Sequence, residues 1–212
     1  MTLLQGTVIL AQAQASSSSV PWLGPLIGVL GGAVVAIFTE PLRRRLFSSR
    51  LRLAFDPSRD CLPLTPMQHG SALLQAQYVR LRVVIPSRWI ARSCRVYLTN
   101  VEVAGSGGTF QRTLYSHAIP LAWSVREDAE FDGNDLPPEI NSFADVLYAD
   151  DRCNAIVPRI RSWPFRYNDL FHSPGTYRLT SRASGDGVKA ASLRLLVTWK
   201  GLWNTLTVEP AP

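Results

Sequence analysis

Cysteine is scarce in this chain, and its pattern excludes two common uses of the residue. Three cysteines, Cys61, Cys94 and Cys153, occur among 212 residues, without a CxxC pair and without a histidine at metal-ligand spacing. An odd number of isolated cysteines supports neither a disulfide framework nor a zinc site. We therefore expect free thiols in a reducing compartment, with no bound metal and no cofactor.

Histidine is equally scarce. His69, His117 and His172 each stand alone among turn residues. The sequence has no HExxH motif, no nucleophile signature and no glycine-rich phosphate loop. We predict no catalytic residue from it. An enzyme or ligand-binding subunit whose site is assembled from distant loops stays an alternative.

Charge is absent from the first 39 residues. Within this segment, residues 20–38 are a mostly apolar run of the length that a helix needs to cross about 30 Å of hydrocarbon. Pro21 and Pro25 fall in its first turns, where a missing amide donor costs little. We predict an uncharged tail over 1–19 and a transmembrane helix over 20–39.

Arginines follow the predicted span and indicate its direction. Residues 40–50 form a basic collar, whereas no basic residue precedes the span. The collar arginines are Arg43, Arg44, Arg45 and Arg50. The positive-inside rule then places the amino terminus outside and the carboxyl-terminal domain in the cytoplasm, at a cell inner membrane or plasma membrane. Cleavage of residues 1–15 as a signal peptide would leave the same final orientation.

Small residues recur at spacings of four within the predicted span. They are Gly24, Gly28, Gly32 and Ala36. Small side chains stacked on one helix face let two helix backbones approach closely. This spacing favours a homodimer formed through the span.

Beyond the collar, the pattern changes from a continuous apolar run to alternation. The clearest alternating segments are residues 78–85, 93–103, 176–184 and 192–201, and shorter ones are 51–55, 120–125 and 142–149. Period two with one polar face is typical of strands that border a core. We predict an all-β antiparallel sandwich of about seven strands or more over 51–208, followed by a tail over 209–212.

One short motif specifies the kind of sandwich. The segment HSPGTYRL (172–179) places Pro-Gly, a spacer and Tyr177 at the start of a predicted penultimate strand. It resembles the tyrosine corner of immunoglobulin-like sandwiches, in which the phenol bonds back to upstream backbone. The predicted final strand, ending in VTWKGLW, resembles the closing strand of such a domain, although the paired cysteines of antibody domains are missing.

The resemblance is to the immunoglobulin-like or C2-like sandwich architecture. It implies a fold and no particular activity. In layout, the chain also resembles single-span, membrane-anchored β-domain proteins of bacteria.

The stretch REDAEFDGND (126–135) concentrates negative charge. Its carboxylates are Glu127, Asp128, Glu130, Asp132 and Asp135, and a second loop carries Asp150 and Asp151. Acidic loops at the end of a sandwich can bind Ca²⁺ through oxygen ligands, as C2-type domains do. A solvated turn and an electrostatic partner site are the alternatives.

Two stretches mix arginine with aromatic residues, PSRWIARSCR (86–95) and PRIRSWPFRYNDLF (158–171). The candidate partner-binding residues of the second are Arg159, Arg161, Trp163 and Arg166. Arginine with tryptophan suits lipid headgroups, phosphates or an anionic protein partner. Alternatively, Trp163 and Phe165 plug the open end of the sandwich.

The net charge of +6 gives no reason to expect nucleic acid as a partner. Half of it lies in residues 1–50, so the folded part is only mildly basic, whereas nucleic-acid binding usually needs a concentrated basic face. We therefore expect a membrane-tethered, cytoplasmic, non-enzymatic module that acts through an unknown protein partner. A peripheral lipid- or Ca²⁺-dependent domain of the C2 kind is the other alternative.

Overall fold

The computed structural model describes residues 50–57, 60–69, 71–86, 88, 90–105, 107–114, 117–124, 130–152, 155–164 and 167–212. These residues all belong to one unit of the chain, Phe47–Pro212. Among them, no helix has the length and apolar character needed to cross a membrane.

Several predictions from the sequence lie outside the described residues. These are the span over 20–39 with Gly24, Gly28, Gly32 and Ala36, the collar residues Arg43, Arg44 and Arg45, and Cys153, Phe165 and Arg166. Arg50, the last residue of the predicted collar, is the first one described, and its side chain is exposed.

Antiparallel strands dominate the described fold. They are β1 (Arg52–Ala54), β2 (Leu64–His69), β3 (Ala72–Val84), β4 (Ala91–Ala104), β5 (Phe110–Arg112), β6 (Ile119–Pro120), β7 (Ala122–Trp123), β8 (Asn134–Leu136), β9 (Ser142–Asp150), β10 (Val157–Pro158), β11 (Gly175–Asp186), β12 (Ala191–Trp199) and β13 (Thr207–Ala211). The described residues add only two short 3₁₀ helices, Asn168–Phe171 and Trp203–Thr205. The predicted all-β class is confirmed, and each of the seven predicted segments contains strand residues.

The strands form two sheets. One has the order β1-β3-β9-β10, with β2 also paired to β3 and β7 to β9. The other has the order β13-β12-β11-β4-β5, with β6 and β8 also paired to β4. Buried side chains from both sheets join one hydrophobic cluster, which is the arrangement of a sandwich.

Alternation places the core side chains as the sequence pattern predicts. In β3 and just after it, Val79, Leu81, Val83 and Ile85 are fully buried. In β11, Tyr177, Leu179 and Ala183 are buried in the same alternating way, with the polar Ser181 among them. Because successive side chains of a strand point to opposite faces, one face of each sheet lines the core.

Among the register shifts between the described strands, two β-bulges interrupt this alternation in the long strands β4 and β9. In β4, Leu98 lies opposite Ser181 and Asn100 lies opposite Thr180, which makes Thr99 the extra residue. The next buried residue after Leu98 is therefore Val101, three positions later instead of two. In β9, Leu147 lies opposite Val79 and Asp145 lies opposite Arg80, which makes Val146 the extra residue. A bulge bends its strand and re-aims the side chains on either side of it.

The prediction that residues 192–201 form the closing strand is wrong. β13 follows them and pairs with β12 from Thr198↔Thr207 to Arg194↔Ala211. It continues past residue 208, where the sequence predicted the end of the domain. The segment TVEPA contains Pro210 and little hydrophobic alternation, and an edge strand tolerates both because one side of its backbone has no strand partner.

Candidate functional site

Three of the four candidate partner-binding residues, Arg159, Arg161 and Trp163, lie on residues 159–164, which we call the arginine loop. Arg159 N donates to Val146 O at 2.9 Å, and Arg161 N donates to Pro120 O at 3.0 Å. Between them, the buried Ile160 forms a β-bridge with the buried Leu121. Sheet hydrogen bonds and one core side chain thus hold the start of the loop in place.

An acidic turn, residues 130–135, lies against the arginine loop. Arg159 Nη2 donates to Glu130 Oε2 at 2.5 Å, and Arg161 Nη1 lies 3.6 Å from Asp132 Oδ1. Trp123 positions the turn, because its backbone N donates to Glu130 O at 2.7 Å and its Nε1 donates to Asp132 O at 3.0 Å. Two stretches that the sequence presents separately therefore meet in the fold.

The two ion pairs differ in exposure. The Arg159 side chain is one-third exposed and is committed to an internal partner. Arg161 is 58% exposed and Asp132 is 56% exposed, and an ion pair this open to solvent contributes little to stability. Arg161 is therefore available to exchange Asp132 for another carboxylate.

Four of the seven acidic side chains proposed as Ca²⁺ ligands have protein partners, and two others, Glu127 and Asp128, lie outside the described residues. Glu130 and Asp132 face the two arginines, which a cation would have to displace. Asp135 Oδ1 accepts from Ser93 N at 2.9 Å, and Asp150 Oδ1 accepts from Arg152 N at 2.9 Å. Within the described ranges, no group of three or more His, Cys, Asp or Glu side chains is arranged to hold a metal ion.

Trp163 lies at the boundary between surface and core. It is 40% exposed, and its ring meets the ring of the buried Tyr167 edge-on, with the centroids 6.0 Å apart. Part of the indole is therefore packed and part is open to a partner. The described contacts support a surface side chain that rests on the core more than a plug inside it.

A row of rings continues from Trp163 into the sandwich. Tyr167 and Phe171 have ring centroids 5.5 Å apart, and Phe171 and Tyr177 have centroids 5.2 Å apart. The Tyr177 hydroxyl donates to Leu170 O at 2.8 Å and also contacts Ser173 O at 2.5 Å. The predicted bond from this phenol to upstream backbone is therefore confirmed. Burial raises the pKa of Tyr177 above its ordinary value, so the phenol stays protonated.

A polar cluster beside the β9 bulge was missed by the sequence reasoning. Asp145, only 4% exposed, accepts from Arg80 Nε at 2.9 Å and from Ser124 Oγ at 2.6 Å. A carboxylate inside the otherwise apolar stretch SFADVLYA was the available signal. Its partner Arg80 lies 65 positions away, so only the strand register brings the two together.

Two tyrosines extend this cluster toward the arginine loop. Tyr78 stacks on Tyr148 with the ring centroids 5.4 Å apart, and the Arg80 guanidinium lies 5.1 Å from the Tyr78 ring. Burial raises the pKa of Tyr78, while the positive charge of Arg159 opposes that rise. The cluster thus combines a buried ion pair with two stacked rings close to Arg159, at the base of the arginine loop.

The two described cysteines are free and buried, as predicted. They are Cys61 and Cys94. Burial raises the pKa of the Cys94 thiol to about 11, so the thiol is protonated at neutral pH. A buried thiol in this state is a poor nucleophile.

Similarity to known proteins assigns no family to this chain. No family model matches it, and no curated protein matches it. Any functional assignment therefore rests on the fold and on the residues described above.

Proposed function

We propose that this chain is a membrane-tethered, immunoglobulin-like sandwich that works without catalysis, by binding a protein partner in the cytoplasm. The apolar run over 20–39 supports the tether, and the arginine collar after it supports the cytoplasmic side. The corner made by Tyr177 supports the immunoglobulin-like architecture, because its phenol bonds back to Leu170 and Ser173.

The observation that carries the proposal is the exposed pair Arg161 and Trp163 on a loop whose first residues are hydrogen-bonded to the sheets. Tryptophan and arginine are the residue types most enriched among interface hot spots. A backbone that is already ordered by the hydrogen bond from Arg161 N to Pro120 O loses less entropy when a partner binds. The weak, exposed pairing with Asp132 leaves the Arg161 guanidinium ready for a carboxylate of that partner.

Affinity purification of the full-length chain from membranes, followed by mass spectrometry, tests this proposal. Trp163→Ala and Arg161→Ala are each expected to lose the co-purifying partner, with a nearly unchanged melting temperature. The matched control is Arg194→Ala, which removes an exposed arginine from β12, separated by β11 and β4 from the β6 strand that anchors the loop. It should retain the partner.

Two results would contradict the binding role of the loop. One is an unchanged set of partners in both loop variants. The other is a loss of more than about 3 kcal/mol in the free energy of unfolding for Trp163→Ala, because that is the cost of emptying a large aromatic core site. Trp163 would then be a structural residue.

A further inference from the structure

The described chain begins at one end of the sandwich. Arg50 forms a β-bridge with Lys189, and Leu51 N donates to Lys189 O at 3.1 Å. β1 then pairs Arg52 with Val84, the last residue of β3. The turn between β11 and β12 and the end of β3 therefore lie beside the point where the chain joins the domain.

Two more loops reach the same end. Glu139 N, in the loop before β9, donates to Ile85 O at 3.2 Å. The first residue of β4, Ala91, pairs with Leu136 at the end of β8. We call this surface the Arg50 end. It consists of residues 50, 85, 86, 88, 90, 137–141 and 187–190.

The Arg50 end combines exposed apolar and cationic side chains. Ile90 is 59% exposed and Ile140 is 55% exposed. Its cationic residues are Arg50, Arg88 and Lys189, all exposed, and the acidic residues in it or directly beside it are Glu139 and Asp186. Exposed isoleucines flanked by cations have the composition of surfaces that lie at an anionic membrane interface.

The chain that precedes Arg50 limits where this end can be. Residues 40–49 separate the proposed span from Arg50, and ten residues reach at most about 35 Å when fully extended. A domain held that close meets the bilayer surface at a high effective concentration, so a weak surface affinity is sufficient. Of the seven large apolar side chains that are exposed among the described residues, Ile90 and Ile140 are the two that lie at the Arg50 end.

We infer that the Arg50 end is a lipid-binding surface. Ile90 and Ile140 enter the headgroup region of the bilayer, while Arg50, Arg88 and Lys189 contact anionic phosphates. This rests on the membrane tether of the proposed function.

The test places a fluorophore at each end of the full-length chain. An environment-sensitive probe is attached to Ile140→Cys, and in a control to Leu202→Cys. Leu202 is 61% exposed and follows Trp199, which pairs with Gly175 at the other end of β11. Both carry Cys153→Ser, because Cys61 and Cys94 are buried. The chain is reconstituted in phosphatidylcholine vesicles with about 30% phosphatidylglycerol and a spin-labelled lipid.

We expect lipid-borne quenching to be several-fold stronger at position 140 than at position 202. Replacing Arg88 and Lys189 by glutamine, or omitting phosphatidylglycerol, should remove most of the difference, since each cation at an anionic surface contributes about fivefold in affinity. A rise in salt concentration should act in the same direction.

The outcomes separate this inference from the proposed function. If the chain floats with the vesicles but both probes are quenched equally, the lipid-binding surface is overturned and the tether stands. If alkaline carbonate extracts the chain, the tether fails, and the inference fails with it. Quenching at position 140 that is insensitive to both the charge variant and the lipid charge overturns the role of the cations.

Discussion

At the scale of single residues, the phenol of Tyr177 connects the candidate loop to the core. Its hydroxyl bonds to Leu170 O and Ser173 O, and its ring continues the row that begins at Trp163. This buried hydroxyl thus helps to hold the chain between β10 and β11 on the sandwich.

Removing this hydroxyl should have a modest cost. Tyr177→Phe is expected to lower the free energy of unfolding by about 1 kcal/mol, the net worth of a typical hydrogen bond. Tyr177→Ala should cost about 3–5 kcal/mol, because it also empties a core site. Chemical denaturation of the full-length chain measures both, and Tyr97→Phe on the half-buried outer face of β4 is the control. Unchanged stability in Tyr177→Ala would contradict the corner.

Gly185 marks a second residue-scale constraint, at the irregular pairing of β11 with the start of β4. A Cβ atom on it would lie 2.6 Å from Cys94 Sγ and 3.0 Å from Arg92 O. We expect Gly185→Ala to cost about 1–3 kcal/mol through overpacking, measured by denaturation. Gly107→Ala is the matched control, since nothing lies within 4 Å of its added Cβ. Adding Cys94→Ala should restore part of the stability lost in Gly185→Ala. An unchanged stability of Gly185→Ala would show that β11 and β4 can move apart to make room for the added Cβ atom.

At the scale of the strands, one carboxylate on the larger sheet lies between residues of the two strands that flank its own. Glu102 of β4 lies opposite Arg178 of β11 and Arg112 of β5. Arg178 Nε donates to Glu102 Oε2 at 2.5 Å, and its guanidinium lies 4.4 Å from the Phe110 ring. The hydrogen bond from Arg178 lowers the pKa of Glu102 below its ordinary value.

This shift predicts how stability depends on pH. Because the folded pKa of Glu102 is lowered, its stabilising effect is present above its unfolded value of about 4.3 and is lost as pH falls through the folded pKa. The melting temperature of Glu102→Gln should be below that of the native chain at neutral pH. The gap should begin to narrow as the pH falls below about 4.3 and should close once the pH is below the folded pKa. Glu209→Gln on β13 is the control. A gap that does not change with pH would contradict this role.

At the scale of the whole molecule, the proposed tether determines which compartment the sandwich occupies. A reporter that is active only outside the cytoplasm, fused after Pro212, should be silent, because the arginine collar is expected to keep the carboxyl-terminal side in the cytoplasm. Neutral replacements of Arg43, Arg44 and Arg45 should weaken this bias, with Arg182→Ala as the control. Activity of this fusion, together with silence of a cytoplasmic reporter fused at the same place, would show the opposite orientation. The domain and its proposed partner would then not be in the cytoplasm.

The sequence alone was sufficient for what depends on near neighbours along the chain. Alternation identified the long strands, because a two-residue period needs no knowledge of the partner strand. The Tyr177 bond was predictable for the same reason, since Tyr177 and Ser173 are four positions apart. The short strand β13 was not predicted, because its five residues include Pro210 and show too little alternation of apolar and polar side chains.

Only the tertiary structure decided which distant groups meet. Arg159 and Glu130 are 29 positions apart, and Arg80 and Asp145 are 65 positions apart. Their contacts depend on sheet order, on strand register and on the bulge at Val146, all of which are set by long-range packing of two sheets. Shifting a register by one residue moves every side chain to the opposite face, so no local pattern determines these pairs.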